Sequence, residues 1–235
     1  DIGVFSLNYH KHIHTGEGGV VTTRDPELAE RVALIRNHGE AVAEPKGRPD
    51  LGGLLGFNYR MTEIHAAIGR EQLKKLKALV AIRIRNADYL AERLALVEGL
   101  RPARPQPGCV HVYYQHPYLY DESAWGVHRD VFVRAIRAEL PSSVLREKIP
   151  LIGAGYVRPL YLQPFYQQRM SACAFNCPRY RGAATYAPGL CPTVERLHFS
   201  DLFSHEFMRP GMTESDLDDV VKAFTKVGEN RGGLQ

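Results

Sequence analysis

Phe5-Ser6-Leu7-Asn8-Tyr9-His10-Lys11-His12-Ile13-His14-Thr15-Gly16-Glu17-Gly18-Gly19 is the stretch on which the reading of this chain turns. Lys11 sits among three histidines, with Ser6 five residues before it and a glycine-rich run after it. An amine acts as a nucleophile only when uncharged, so a working lysine needs burial or cationic neighbours to lower its pKa. The flanking histidines supply part of that. Taken alone, a lysine beside histidines reads as a surface residue. Its surroundings change the balance. Ser6 offers a hydroxyl to an anion, and Gly16, Gly18 and Gly19 let backbone approach closely. Glu17 stands between glycines, where filling surface would hardly require it.

Outward from that turn, residues 2–7 read as a short buried strand and Gly19-Val20-Val21-Thr22-Thr23 as a second. The chain opens inside the first strand and without Met, which points to a piece of a longer protein. Asp25-Pro26-Glu27 is a helix start: Asp25 can cap, Pro26 suits the first helical position, and the acids favour the positive end of the dipole. The predicted helix Pro26–Arg36 presents Leu28, Val32 and Ile35. A loop rich in Gly, Pro and charge runs from 39 to 57, long enough to suggest function. After Gly56-Phe57-Asn58-Tyr59-Arg60-Met61, Thr62 caps a helical pattern that continues through Ile64, Ala67, Ile68, Leu73, Leu76, Val80, Ile84, Leu90, Leu94 and Val97. A helix of that length often bridges two domains.

A Pro-rich linker over 99–108 follows, and the domain boundary is placed there: 1–98 and 99–235. Val110–Tyr120 alternates aromatic and β-branched residues and predicts a strand. Arg129–Leu140 is a helix, residues 141–212 are irregular, and Thr213 with Asp216 caps a last helix. Short strands alternating with helices, followed by a second α+β unit, indicate an α/β main domain. Hydrophobic content of 44% and charge of 24% fit a soluble globular chain large enough for a sizeable core. The net charge of +4 comes from scattered basic residues, which argues against nucleic acid as a partner. Cys109, Cys173, Cys177 and Cys191 form no two matching pairs and read as reduced structural cysteines rather than a zinc site. With no secretory signal and no apolar run of spanning length, no membrane is expected and the cytoplasm is the default.

Ser6-Leu7-x-x-x-Lys11 with Thr15-Gly16-Glu17-Gly18-Gly19 resembles the lysine signature of the nucleotide-sugar aminotransferases of the DegT/StrS type, fold-type I enzymes dependent on pyridoxal 5'-phosphate. The likeness continues through Arg36-Asn37-His38-Gly39, through Gly56 to Gly69, and at Gln72-Leu73. It is weaker at Pro159-Leu160-Tyr161-Leu162-Gln163-Pro164 and at Met212-Thr213-Glu214. The resemblance implies that Lys11 binds pyridoxal phosphate covalently and, when released, shuttles a proton. It implies that Ser6 bonds the cofactor phosphate, and that Asn58 reaches the phosphate of a partner subunit in a homodimer. Arg60 lies nearby as a substrate, cofactor or interface contact. Without the resemblance, Asn58 and Arg60 read as a helix-entry turn with a surface arginine. The implied substrates are glutamate and a keto sugar on a nucleotide diphosphate, in amino-sugar biosynthesis.

Two departures stand out. Tyr161 occupies a place where many relatives carry His, which bears on sugar recognition. The family's other cofactor contacts, which lie in the first half of its large domain, have no counterpart here. The expectation is therefore a partial fold-type I large domain followed by a smaller α+β domain, the fragment alone being inactive. Two other readings remain: a sugar 3-dehydratase, which carries His where Lys11 stands, and a catalytically silent dimerisation or regulatory module.

Overall fold

In the computed structural model, which describes residues 1–39, 54–141, 150–169, 182 and 185–234, the chain is mixed helix and sheet. Contacts group Asp1–Val80 and Ala81–Gln235 into two compact units, a division that falls within the long helix.

In the first unit β1 (Ile2–Ser6) pairs antiparallel with β2 (Gly19–Thr23), in a register that runs from Ile2 opposite Thr23 to Ser6 opposite Gly19. Residues 7–18 form the loop between them. The strand over Ile2–Ser6 is present but not buried: Val4 is 76% exposed and Phe5 58%. A hairpin of two strands covers neither of its own faces, and what lies on a strand decides its burial more than its composition does. Helix α1 (Pro26–Arg36) follows β2 and forms as its ends dictate. Asp25 accepts from the backbone N–H groups of Glu27 and Leu28, and Pro26 occupies the first turn. Of the loop predicted over 39–57, residues 40–53 lie outside the described residues. Helix α2 (Glu63–Leu94) spans 32 residues, and Thr62 Oγ1 accepts from His65 N at 3.3 Å, as a cap should. Its first half does not present a buried stripe: Ile64 is 74% exposed and Leu73 61%.

The second unit is built on a four-stranded antiparallel sheet. Its strands are β3 (Leu100–Pro102), β4 (His116–Tyr120), β5 (Ile152–Ala154) and β6 (Leu202–His205), in the spatial order β3-β4-β6-β5. Three expectations are corrected here. The predicted linker over 99–108 begins with β3. Pro102 is tolerated because β3 is an edge strand, with a partner on one side only. The predicted strand Val110–Tyr120 is a strand only from His116, because Tyr113 adopts a left-handed φ of 51° and its carbonyl accepts from the buried Arg83 at 2.8 Å. The stretch 141–212, read as irregular, supplies both β5 and the central strand β6.

Helix α3 (Glu122–Trp125) and helix α4 (Arg129–Glu139) precede β5. Short α5 (Pro164–Gln167) and α6 (Pro192–Arg196) precede β6. The unit closes with α7 (Glu214–Glu229), whose Thr213/Asp216 capping box is formed. Leu90 and Leu94 of α2, Phe132 and Ile136 of α4, Leu217 and Phe224 of α7, and Tyr118, Tyr120 and Phe203 of the sheet make one continuous core. Phe132 is its hub, with ring centroids 4.7 Å from Trp125, 5.2 Å from Tyr120, 5.3 Å from Phe203 and 5.8 Å from Phe224. No described helix is long and apolar enough to cross a membrane. Cys109 is exposed and Cys191 partly buried, both free, while Cys173 and Cys177 lie outside the described residues.

Candidate active site

The loop between β1 and β2 is closed by its backbone before any side chain is considered. Leu7 N donates to Gly18 O at 2.9 Å, and Thr15 N donates to Leu7 O at 3.0 Å. Inside that closure Lys11 N donates to Asn8 O at 2.9 Å, which turns the chain so that the lysine leaves the loop half-buried rather than extended into water. Asn8 is the pivot. Its N–H donates to Ser6 Oγ at 3.3 Å, and its Nδ2 donates to Glu17 Oε1 at 2.7 Å. Ser6 and Lys11 are thus tied to one residue between them, and Glu17 has the structural employment that its position between glycines suggested. Lys11 Nζ lies 3.2 Å from His10 Nε2, within hydrogen-bond reach.

Thr15 fixes the far side of the loop. It is 3% exposed, and its hydroxyl donates to Glu17 O at 2.7 Å. A Cβ at Gly18 would lie 2.7 Å from Thr15 Oγ1 and 3.2 Å from Met61 Cε, so the loop is packed closely against the segment entering α2. A Cβ at Gly69, inside α2, would lie 3.2 Å from the Thr15 methyl. The helical glycine is therefore a seat for Thr15.

Asn58 and Arg60 are held against the end of α1. Phe57 N donates to Ile35 O (2.7 Å), His38 N to Phe57 O (3.0 Å) and Tyr59 N to Arg36 O (3.0 Å), and Asn37 and Asn58 form an isolated antiparallel bridge. Arg60 Nη1 donates to Asn37 Oδ1 at 2.8 Å. The approach depends on glycine. A Cβ at Gly56 would sit 1.9 Å from Gly39 N, and one at Gly39, whose φ is +74°, 2.2 Å from Leu54 O. Ser6, Lys11, Asn58 and Arg60 all belong to the first unit, Ser6 and Lys11 on one loop and Asn58 and Arg60 on one docked segment.

Tyr161 belongs to the second unit. It stands in a single 3₁₀ turn over Leu160–Leu162, and its hydroxyl donates to the Glu195 carboxylate of α6. Partial burial and that carboxylate push the phenol up to about 12. Asn8, Thr15 and Glu195 are the residues that reading the sequence passed over. A threonine beside glycines and a glycine inside a long helix were visible signals for Thr15 and Gly69. Glu195 gave none, because its partner is 34 residues away.

An amine, a neighbouring hydroxyl and a docked amide are a donor set that suits an aldehyde carrying a phosphate. The amine bonds the carbonyl carbon and the polar groups bond the anion. Ser6 Oγ accepts from Asn8 N, which leaves its own O–H to donate. On chemistry alone the residues fit pyridoxal phosphate. Among the described residues no group of three His, Cys, Asp or Glu could hold a metal ion.

The model of the DegT/DnrJ/EryC1/StrS aminotransferase family matches residues 1–225. The chain is 32% identical to an L-glutamine:2-deoxy-scyllo-inosose aminotransferase from Streptomyces kanamyceticus, over 99% of its own length and 54% of that protein's. It is similar to the crystal structure of a DegT/DnrJ/EryC1/StrS aminotransferase from Brucella abortus, with a TM-score of 0.68 and 26% identity over 96% of this chain and 50% of that one. The structure of DesI, determined in the presence of its TDP-sugar product, gives a TM-score of 0.70 at 24% identity, covering 99% of this chain and 51% of that one, and shows the likeness of fold. The chain spans about half the length of the relatives it matches.

Proposed function

The chain belongs to the DegT/DnrJ/EryC1/StrS aminotransferase family, whose members depend on pyridoxal 5'-phosphate, and from that premise we propose that it carries the lysine half of an aminotransferase site acting on a keto carbohydrate. The observation that carries this reading is the Lys11 loop. Its amine and the Ser6 hydroxyl are tied through Asn8, and the loop is seated on α2 through Thr15. Lys11 would hold the cofactor through its amine, Ser6 would bond the cofactor phosphate, and Asn58 the phosphate of a second copy across a homodimer. Arg60, oriented by Asn37, would meet the substrate or that copy. When bound, the cofactor supplies the electron sink that makes removal of the donor's α-proton feasible.

The protein's own part is position and proton transfer. Lys11 Nζ would accept the proton from the donor Cα. The Asn8–Glu17 bond ties the two sides of the loop that carries it. Residues 1–98 are assigned to the remainder of a fold-type I large domain with its interdomain helix, and 99–235 to the small α+β domain. The proposed location is the cytoplasm.

The amino donor is proposed to be glutamate and the acceptor a keto sugar on a nucleotide diphosphate, as the motif resemblance implies. A second reading has its own support: the relative from Streptomyces kanamyceticus takes L-glutamine and a carbocyclic keto polyol by its name. Both share a keto ring bearing hydroxyls. The full-length protein carrying this chain, incubated with dTDP-linked keto sugar plus L-glutamate or with 2-deoxy-scyllo-inosose plus L-glutamine, discriminates them by mass spectrometry of the product. An aminated product and a cofactor absorbance band that both vanish in Lys11→Ala are the expected result. A deoxygenated product assigns a dehydratase, and failure to retain the cofactor assigns a silent module.

A further inference from the structure

The turn that carries Lys11 brings a second nitrogen to its amine. Lys11 N donates to Asn8 O at 2.9 Å, closing Asn8-Tyr9-His10-Lys11 into a β-turn. Asparagine suits the first position because its side chain bonds the backbone two residues on, and His10 N meets Asn8 Oδ1 at 3.5 Å. The other end of that amide is fixed by Glu17, which receives Nδ2 at 2.7 Å. Side chains of consecutive residues diverge in a strand; here the turn makes them converge. The Tyr9 ring stands edge-on to the imidazole, with centroids 5.0 Å apart and planes at 84°. Lys11 Nζ and His10 Nε2 end 3.2 Å apart. His14 is turned to the glycine run instead, its Nδ1 accepting from Gly16 N at 3.3 Å.

That pairing decides what His10 can offer. An ammonium has three protons and no lone pair, so facing one Nε2 must accept, and the imidazole proton sits on Nδ1. A lysine ordinarily carries its third proton at neutral pH and must lose it before the amine can bond a carbonyl carbon. Read from the sequence, the histidines are cationic neighbours of Lys11. The geometry gives His10 the opposite office, a lone pair within the reach required of a general base. Transfer breaks one Nζ–H bond, forms one Nε2–H bond and moves the charge from ammonium to imidazolium, with no other reactant. His10 is exposed where Lys11 is half-buried, so a proton that reaches the imidazole can leave for water.

We propose that His10 Nε2 takes the proton from the Lys11 ammonium and so frees the amine to capture an aldehyde. The proposal rests on the aminotransferase reading above, in which Lys11 bonds pyridoxal phosphate. It adds to that reading a proton acceptor, which governs how fast the cofactor is captured and not how much is held.

The tests use the full-length protein freed of cofactor. Nitrogen NMR of protein labelled in its histidine rings, at about pH 8, should find His10 protonated on Nδ1. Lys11→Met should return it to the Nε2–H form that free imidazole prefers in water. Pyridoxal phosphate is then added and its capture followed by absorbance. His10→Ala and His10→Gln should slow capture by about a hundredfold, the lower end of what a general base supplies. Glutamine can hold Nζ through its amide oxygen but cannot carry the proton away. The amount of cofactor bound at completion should match wild type in both, since a proton acceptor speeds capture and release alike. Added imidazole should restore the rate in His10→Ala, a response that lost structure would not give. Capture by His10→Gln at the wild-type rate, a lower final amount in either variant, no rescue by imidazole, or an Nε2–H tautomer indifferent to Lys11 overturns the proposal while leaving transamination standing. A wild-type protein that captures no cofactor, or whose capture survives Lys11→Ala, removes the aminotransferase reading and this proposal with it.

Discussion

Gly56 shows how much of this site rests on atoms that are absent from a side chain. With a Cβ built there, the nearest backbone atoms are Gly39 N at 1.9 Å and His38 C at 2.3 Å, and backbone cannot step aside as a flexible side chain can. Gly56→Ala should therefore undock Asn58 and Arg60 from the end of α1 and destabilise the chain by about 1–3 kcal/mol, the usual range for overpacking. Chemical denaturation measures the loss. In the full-length protein the same substitution should lower cofactor retention while Lys11 itself is untouched. Retention equal to wild type would mean that the docked segment has no part in the cofactor site. At this scale the sequence was most legible where partners are close in the chain. Ser6, Lys11 and Glu17 lie on one loop, so their spacing could carry the motif resemblance on which the reading rested, although the bonds Asn8 and Thr15 make there were not foreseen. The bond of Arg60 to Asn37 and that of Tyr161 to Glu195 join residues 23 and 34 apart, and spacing carries no trace of either.

The elements of the second unit reveal a different kind of hidden information. Helices α1 and α7 were readable because their ends obey local chemistry, Asp25-Pro26 in one and Thr213 with Asp216 in the other. Strand β6 was not, because it is four residues long and two of them, Ser204 and His205, are buried polar side chains. No hydrophobic period can mark such a strand. His205 stands opposite His116 of β4 in register, with ring centroids 5.0 Å apart and both side chains fully buried. Both nitrogens of His116 and Nε2 of His205 lack a hydrogen-bond partner. Of the groups facing the pair, Tyr113, Tyr118, His111 and Arg104 do not favour a proton on it; the Ala103 backbone favours one on His116, and burial outweighs it. Burial lowers His116 to about 4 from 6.5 and carries His205 in the same direction. A folded pKa below the unfolded value means that the unfolded chain binds the proton first. Stability is thus full above pH 6.5 and is lost as pH falls toward 4, by about 3 kcal/mol for His116 alone. Denaturant midpoints at pH 7, 5 and 4 should fall steeply for wild type and less steeply for His116→Phe, and equal slopes would refute the assignment. Phe132→Ala, at the centre of the same core, should cost about 3–5 kcal/mol at each of these pH values, since the phenols packed around it stay protonated throughout that range.

For the molecule as a whole, the two units differ in what holds them. Every described buried hydrophobic side chain except Ile13 lies in Ala81–Gln235. The first unit is stitched by backbone bonds and glycine contacts instead, and it exposes Ile2, Val4, Phe5, Val20, Val21, Ile64, Ile68 and Leu73. Cooperative protection against opening comes from buried apolar contacts, and segments without them open at low free-energy cost. In the chain of residues 1–235, amides of the core-forming elements α4, β4, β6 and α7 should therefore exchange with solvent far more slowly than those of β1, β2 and α1. Brief proteolysis should consume the first unit and leave a resistant core that contains Phe132 and Phe224. The exposed apolar side chains should also bind a hydrophobic dye, and the Lys11 loop should exchange early despite its internal bonds. The contrast bears on catalysis. A lysine loop that opens at little cost cannot hold a proton-transfer geometry by itself, so the function proposed above requires those apolar faces to be covered in the full-length protein. Exchange measured in that protein should show 1–80 protected and dye binding lost. If 1–80 exchange as fast there as in the shorter chain, Lys11 is not held still enough to act, and the catalytic assignment falls on physical grounds.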